Sequence, residues 1–319
     1  MDLSTFHRHP VVSATLAILS LFVISQPTVA QSAATPADQG GHRAEVEQWR
    51  KEREDAIASK SGWLSVAGLF FLKEGRNTFG RDAANQLVLP ASAPPHAGWF
   101  ELRQGRVFAR INQSVTATFN KQLVQPGAEI ALKETDDLGK GDSLVLGPLT
   151  LFVHMSGEKL AIRMLNAESD LLKRFTGLRW FAIDPEYRVV ARFVPFDVPK
   201  PVEVPNILGD LERYTSPGML IFTLSRQEYR LQPFQVGKQE RSRFFIVFKD
   251  LTSGKETYGA ARFVNASLPK EGTTIIDFNR AFNPPCAYNP FTTCPLPLPS
   301  NRLSVRILAG ERRYPTHSR

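Results

Sequence analysis

Asp277, Asn279, Arg280 and Asn283 fall within seven residues of one another near the C-terminus. One carboxylate, two carboxamides and a guanidinium can together grip a hydroxyl-rich or amide ligand and screen its negative charge. If a strand delivers Asp277, period-two geometry places Asp277 and Asn279 on one face. Tyr258 and Arg262 lie on the preceding strand and Asn301 closes the segment, so the candidate ligand-binding set is Tyr258, Arg262, Asp277, Asn279, Arg280, Asn283 and Asn301. These types also have plain structural uses. Asp and Asn after a strand cap turns and satisfy loop backbone, and an Asp beside arginines forms ion pairs.

The segment between Asn279 and Pro299 holds six prolines and no helical pattern. An irregular stretch of that length inside a domain is functional or tied down. Cys286 and Cys294, eight positions apart, are the whole cysteine content. In an oxidising compartment they predict a disulfide that stabilises such a loop by roughly 2–3 kcal/mol. A metal centre would need further ligands, and no histidine lies nearby in sequence, so neither metal nor cofactor is expected.

Other motifs fail on inspection. Gly141-Asp142-Ser143-Leu144 spells an esterase signature far from the chain start and without its later Asp-x-x-His, so it reads as a turn entering a strand. No nucleophile elbow, phosphate loop or dinucleotide fingerprint occurs. Histidines 42, 96, 154 and 317 show no ligand-like spacing. Trp63, Phe70 and Phe71 read as core, with an exposed subset able to stack on sugars.

The elements that must position these groups are mostly short strands. Residues 42–60 form the one clear helix, with Val46, Trp49, Ala56 and Ile57 at helical spacing and Glu47 and Lys51 as an i,i+4 pair. Strands are expected at 106–111, 143–155 broken at Gly147-Pro148, 187–195, 219–224, 243–248, 273–278 and 301–308, and a short helix at 170–175 divides them into two sets. The fold class is mainly β: two antiparallel β-domains, a sandwich at 62–168 and a second sandwich or barrel at 169–319, after a polar leader and amphipathic helix at 31–61.

Arg8 precedes an apolar run at 11–24, and Thr28-Val29-Ala30 suits a cut after Ala30. This predicts a signal peptide at 1–30 and an exported, periplasmic or extracellular protein. A run of 14 apolar residues is too short for a bilayer, which needs about 20, so no membrane-spanning segment is expected after cleavage. The net charge is +8, and residues 300–319 hold five arginines against Glu311. Such a tail favours electrostatic contact with an anionic envelope; no module for specific nucleic-acid binding is present.

Two resemblances organise the chain. The order Gly80-Arg81, Ser92, His96, Gly105-Arg106, Asn120 and Gly141-Asp142 resembles a forkhead-associated β-sandwich. Ser92 and His96 are one residue too far apart for that family's phosphothreonine site, and Lys121 stands where Gly follows the Asn, so the likeness implies the fold and not the phosphopeptide function. Residues Ser61-Gly62-Trp63-Leu64, Gly68-Leu69-Phe70, Thr257-Tyr258-Gly259-Ala260 and the run DFNRAFNPPCAYNPFTTCPLPLPSNRLSVRILA from Asp277 resemble the bacterial family called domain of unknown function 1684. That resemblance implies membership and carries no activity. Three functional classes stay open: binding of a small polar or glycan-like ligand at the Asp277 to Asn301 loop, envelope hydrolysis with Asp277 as general base and Arg262 or Arg280 stabilising developing charge, and a structural or assembly role at the cell envelope.

Overall fold

The computed structural model describes residues 36–238 and 242–315; the expected signal and its cut after Ala30 lie outside them. Helix α1 (Pro36–Ile57) starts earlier than expected and absorbs Gly40 and Gly41 from the leader. Proline suits a first helical turn, whose N–H groups have no partner within the helix. The glycines, each costing about 1 kcal/mol in a helix, are outweighed by tertiary contact: His42 and Val46 are buried just beyond them. On the exposed face, Lys51 pairs with Asp55 at 2.6 Å and Arg43 with Glu47 at 3.6 Å, in place of the expected Glu47–Lys51 pair. Gly62 ends the approach to the first strand, where a Cβ would lie 2.2 Å from the Ala56 carbonyl oxygen.

Eleven strands follow: β1 (Val66–Phe71), β2 (Gly75–Gly80), β3 (Leu87–Val88), β4 (Gly98–Arg103), β5 (Arg106–Ile111), β6 (Thr118–Phe119), β7 (Gln122–Leu123), β8 (Glu129–Leu132), β9 (Leu144–Leu146), β10 (Leu149–Ser156) and β11 (Lys159–Asn166). They form a six-stranded sheet, β1-β11-β10-β9-β6-β7, and a five-stranded sheet, β3-β2-β4-β5-β8. Phe79, Phe100, Val107 and Ala109 of the second sheet meet Leu149, Leu151, Val153, Ile162 and Met164 of the first in one core, so the two sheets make a sandwich. The alternation of buried and exposed side chains along β5 is what places that face inward.

Helix α2 (Asp170–Lys173), capped by Ser169, leads to the second set: β12 (Arg188–Pro205), β13 (Leu211–Leu224), β14 (Gln227–Leu231), β15 (Phe234–Val236), β16 (Arg243–Phe248), β17 (Arg262–Ala266) and β18 (Thr273–Asp277). The sheets β14-β13-β12-β18 and β15-β16-β17 share a core of Val189, Leu220, Phe222, Phe244, Ile246, Phe248, Val264 and Ile276. β12 and β13 run on as one long hairpin, with a register shift between Pro195 and Lys200. Its outer half packs on a smaller core that includes Phe234, Val247, Cys286 and Cys294.

Residues 301–308 do not form the expected strand. Their backbone is bound piecemeal: Leu303 N–H donates to Lys249 O at 2.8 Å, and Ile307 N–H donates to the Asp250 carboxylate at 2.7 Å. Backbone bonds to residues 249–251 reach only as far as Val305, and beyond them a side chain, Asp250, takes the place of a ladder partner.

Candidate functional site

The structure brings Asp277, Asn279, Arg280 and Asn283 together, but uses their side chains within the fold. Asp277 Oδ2 accepts from His42 Nε2 at 2.8 Å, its Oδ1 accepts from Asn279 N and Nδ2 at 3.0 Å, and Arg280 Nε lies 3.6 Å away. Asn279 also pairs with the Asp184 backbone in both directions, and Arg280 reaches Glu45 on α1 at 3.1 Å. Asn283 Nδ2 donates to Glu311 and to Arg312 O. Arg262, fully buried, donates to Ala309 O and Ile307 O and pairs with Asp250 at 3.3 Å. Asn301 joins Gln232 to Val247, and the Tyr258 hydroxyl donates to Cys286 O at 3.1 Å.

No disulfide joins Cys286 to Cys294. The Cys286 N–H donates to Cys294 Sγ at 3.2 Å, and burial pushes the Cys294 thiol well above its usual range, so it is held as a neutral thiol. The ties expected of a bridge are supplied by hydrogen bonds: Ile207 N–H to Cys294 O at 3.1 Å, Leu296 N–H to Pro205 O at 2.9 Å, and Asn289 Nδ2 to Trp63 O at 2.7 Å.

The open space lies on the other side of this loop. A cleft of about 610 Å³ is walled by the end of β10 and Asp137 of the first sandwich, the outer half of β13, Phe245 and Phe263 of the smaller sheet, and Pro285, Thr293, Cys294 and Pro295 of the loop. His154 and Ser156, 6% and 2% exposed, both line it. Among the described residues, neither His154 Nε2 nor Ser156 Oγ has a hydrogen-bond partner. Being two apart on β10, they share one strand face. Asp137 Oδ1 stands 3.6 Å from His154 Nδ1 and accepts from Arg163 Nη1 at 3.3 Å. Opposite, the Tyr214 hydroxyl donates to Glu212 at 2.6 Å, and burial followed by Glu212 raises that phenol's pKa, so it remains protonated. Trp63, Tyr214, Phe245 and Phe263 supply the aromatic lining.

Burial, helped by the Arg163 charge and opposed by Asp137, lowers His154 to about 4. Its imidazole is therefore neutral at pH 7, with one ring nitrogen able to accept and the other to donate. The unfolded chain titrates this group near 6.5, so between 6.5 and 4 it binds a proton that the folded protein refuses. Stability should be complete above about pH 6.5, fall by roughly 3 kcal/mol as pH drops to about 4, and change no further from this group below that. Urea unfolding of the native chain and His154→Gln across this range checks it; equal slopes in both proteins would assign the loss to other groups.

None of the cleft's polar groups belongs to the set expected from sequence. One local signal was there: in Leu-Thr-Leu-Phe-Val-His-Met-Ser, 149–156, an apolar strand ends on two polar side chains at period two. Two such groups on a buried face need either partners or a ligand. Glu212 and Tyr214 come from a hairpin far along the chain, and nothing local links them to β10.

The model of a family described as "Protein of unknown function (DUF1684)" matches residues 173–312. A solution NMR structure of an uncharacterized protein from Haloarcula marismortui is 32% identical, over 46% of this chain and 80% of that one, with a TM-score of 0.39. The crystal structure of the FhaA FHA domain complexed with the intracellular domain of Rv3910 is 22% identical, over 29% of this chain and 82% of that one, with a TM-score of 0.20. No curated protein matches. The family match runs from the end of α2 into the basic tail, so residues 173–312 of this chain are similar to the DUF1684 family of proteins of unknown function, and the first sandwich lies outside that match.

Proposed function

We propose that the protein binds a small, uncharged, ring-bearing polar ligand of glycan-like chemistry in the cleft between the two sandwiches. The observation that carries this reading is the pair His154 and Ser156, buried at the cleft wall with a ring nitrogen and a hydroxyl that the described residues leave unpartnered. Leaving such a group unmet costs about 1–3 kcal/mol, a cost a ligand hydroxyl removes. The neutral imidazole itself offers no charge to a carboxylate or phosphate and the charged lining is of mixed sign, Arg213 and Arg243 against Asp137, Glu158 and Glu212, while the ring nitrogen and the Ser156 hydroxyl match alcohol groups in either direction. Aromatic side chains around them suit the apolar face of a sugar ring, and the volume falls within the usual range for small-molecule sites. The proline-rich loop enters this reading as a wall, through Pro285, Thr293, Cys294 and Pro295. Hydrolysis with Asp277 as base would require substrate to displace His42 and Asn279 from its two oxygens.

Native mass spectrometry of the purified protein, followed by titration with a panel of mono- and disaccharides, tests the proposal. A retained or added ligand should be lost in Ser156→Ala and His154→Phe. Ser156→Ala removes an unpartnered hydroxyl, so its ligand-free stability should stay within about 0.5 kcal/mol of the native chain or rise. Binding that survives both substitutions, or no binding across the panel, would remove the cleft from consideration.

A further inference from the structure

A second concavity, of about 420 Å³, shares no residue with the cleft and is lined by Arg179, Lys255, Glu256, Arg312, Arg313 and Pro315. All four cations are exposed, and none pairs with a carboxylate among the described residues. Its one acidic side chain is already neutralised, since Arg306 Nη2 donates to Glu256 Oε1 at 2.5 Å and lowers that carboxyl's pKa.

The backbone holds the like charges side by side. Arg312 N–H donates to Arg179 O at 2.7 Å, Arg313 N–H donates to Glu256 O at 2.9 Å, and a bridge pairs Trp180 with Glu311. The Arg312 guanidinium rests over the Phe181 ring at 5.2 Å, which fixes its stem. Three chain segments distant in sequence are thus fastened so that four positive heads border one hollow. Such an arrangement is self-repelling when empty and is relieved by a multivalent anion. Guanidinium forks match the paired oxygens of phosphate, and a single carboxylate would leave most of the charge unmet.

We propose that this hollow is a binding site for ligands carrying two or more phosphate charges, either a soluble oligophosphate or clustered phospholipid headgroups. The probes are inorganic tripolyphosphate, followed by calorimetry, and vesicles of equal parts phosphatidylcholine and phosphatidylglycerol, followed by cosedimentation. The native chain should bind at least one of them, more weakly at about 200 mM than at about 50 mM salt. Arg312→Gln with Arg313→Gln should weaken that binding about tenfold or more, while the melting temperature without ligand stays the same or rises as repulsion is relieved. Lys255→Gln, on an exposed turn, is the second variant should the first fold poorly, and should weaken binding in the same direction. Binding to tripolyphosphate alone identifies the soluble source, and binding to vesicles alone the headgroup. No binding of either probe by the native chain, or binding that both variants keep, overturns the proposal.

Discussion

Glu311→Gln should cost the fold about 3–5 kcal/mol, a large share of the 5–15 kcal/mol that holds an ordinary domain together. The Glu311 side chain is fully buried and accepts from four donors: Arg53 Nε at 3.0 Å, Asn283 N at 3.1 Å, Asn283 Nδ2 at 2.9 Å and the Tyr288 hydroxyl. Burial and the Glu311 charge push the Tyr288 phenol well above its usual range, so it stays protonated and donates. The amide isostere keeps the size but removes the charge that Arg53, only 15% exposed, is buried against, and turns one acceptor into a donor facing donors. Chemical unfolding should show a lower midpoint with an unchanged slope. Adding Arg53→Met to Glu311→Gln should cost less than the two losses summed, because both remove one interaction. A loss below about 1 kcal/mol for Glu311→Gln would mean that the carboxylate is not what anchors the helix.

Arg262→Met should be about as damaging, for a related reason. Arg262 and Asp250 are both fully buried, and the guanidinium spans two carbonyls, Ala309 O at 2.5 Å and Ile307 O at 3.0 Å, as well as the carboxylate. Burial lowers the Arg262 pKa, the direction expected of a cation removed from water and only partly offset by Asp250. Methionine fills much of the space yet leaves the buried Asp250 without its cation and two carbonyls unbonded, so about 3–5 kcal/mol should be lost. Arg262→Lys separates charge from geometry: an ammonium cannot span the same three oxygens, and about 1–3 kcal/mol should still go. A ligand-binding arginine would show the opposite pattern, with stability retained and binding lost. If Arg262→Lys unfolds at the native midpoint, the fork is dispensable.

Arg262 also shows what could and could not be read from the chain. The strand at 106–111 was legible from its alternation, the signature of a half-buried strand, and the one at 243–248 from a short, aromatic and β-branched apolar run after Arg243, the signature of a buried one. The importance of Asp277, Asn279, Asn283, Arg262 and Asn301 was legible too, since so many polar groups beside six prolines must meet some need. Which need was not. A long loop without ladder partners has its own peptide groups to satisfy, and in this loop the carboxamides meet backbone: Asn279 at Asp184, Asn283 at Arg312, Asn301 at Gln232 and Val247. Composition does not tell a side chain that faces solvent from one that faces a carbonyl. The same blindness produced the false strand at 301–308, whose apolar alternation is real but whose backbone bonds go to Lys249 and Asp250. The cleft was harder still, because its walls come from the ends of both sandwiches and from the loop.

The anchoring of α1 has a consequence in time. Arg53 meets Glu311 across 258 positions and His42 meets Asp277 across 235. At about 5–20 residues per second, the helix leaves the ribosome roughly 13–50 s before its last partner is made. Both sandwiches can gather their strands in that interval, and the joint that locks helix to loop comes last. Until then His42 and Arg53 of the helix lack the carboxylates of Asp277 and Glu311 that they meet in the fold. Helix α1 is therefore the part that docks late, held off until Glu311 is in place to receive Arg53.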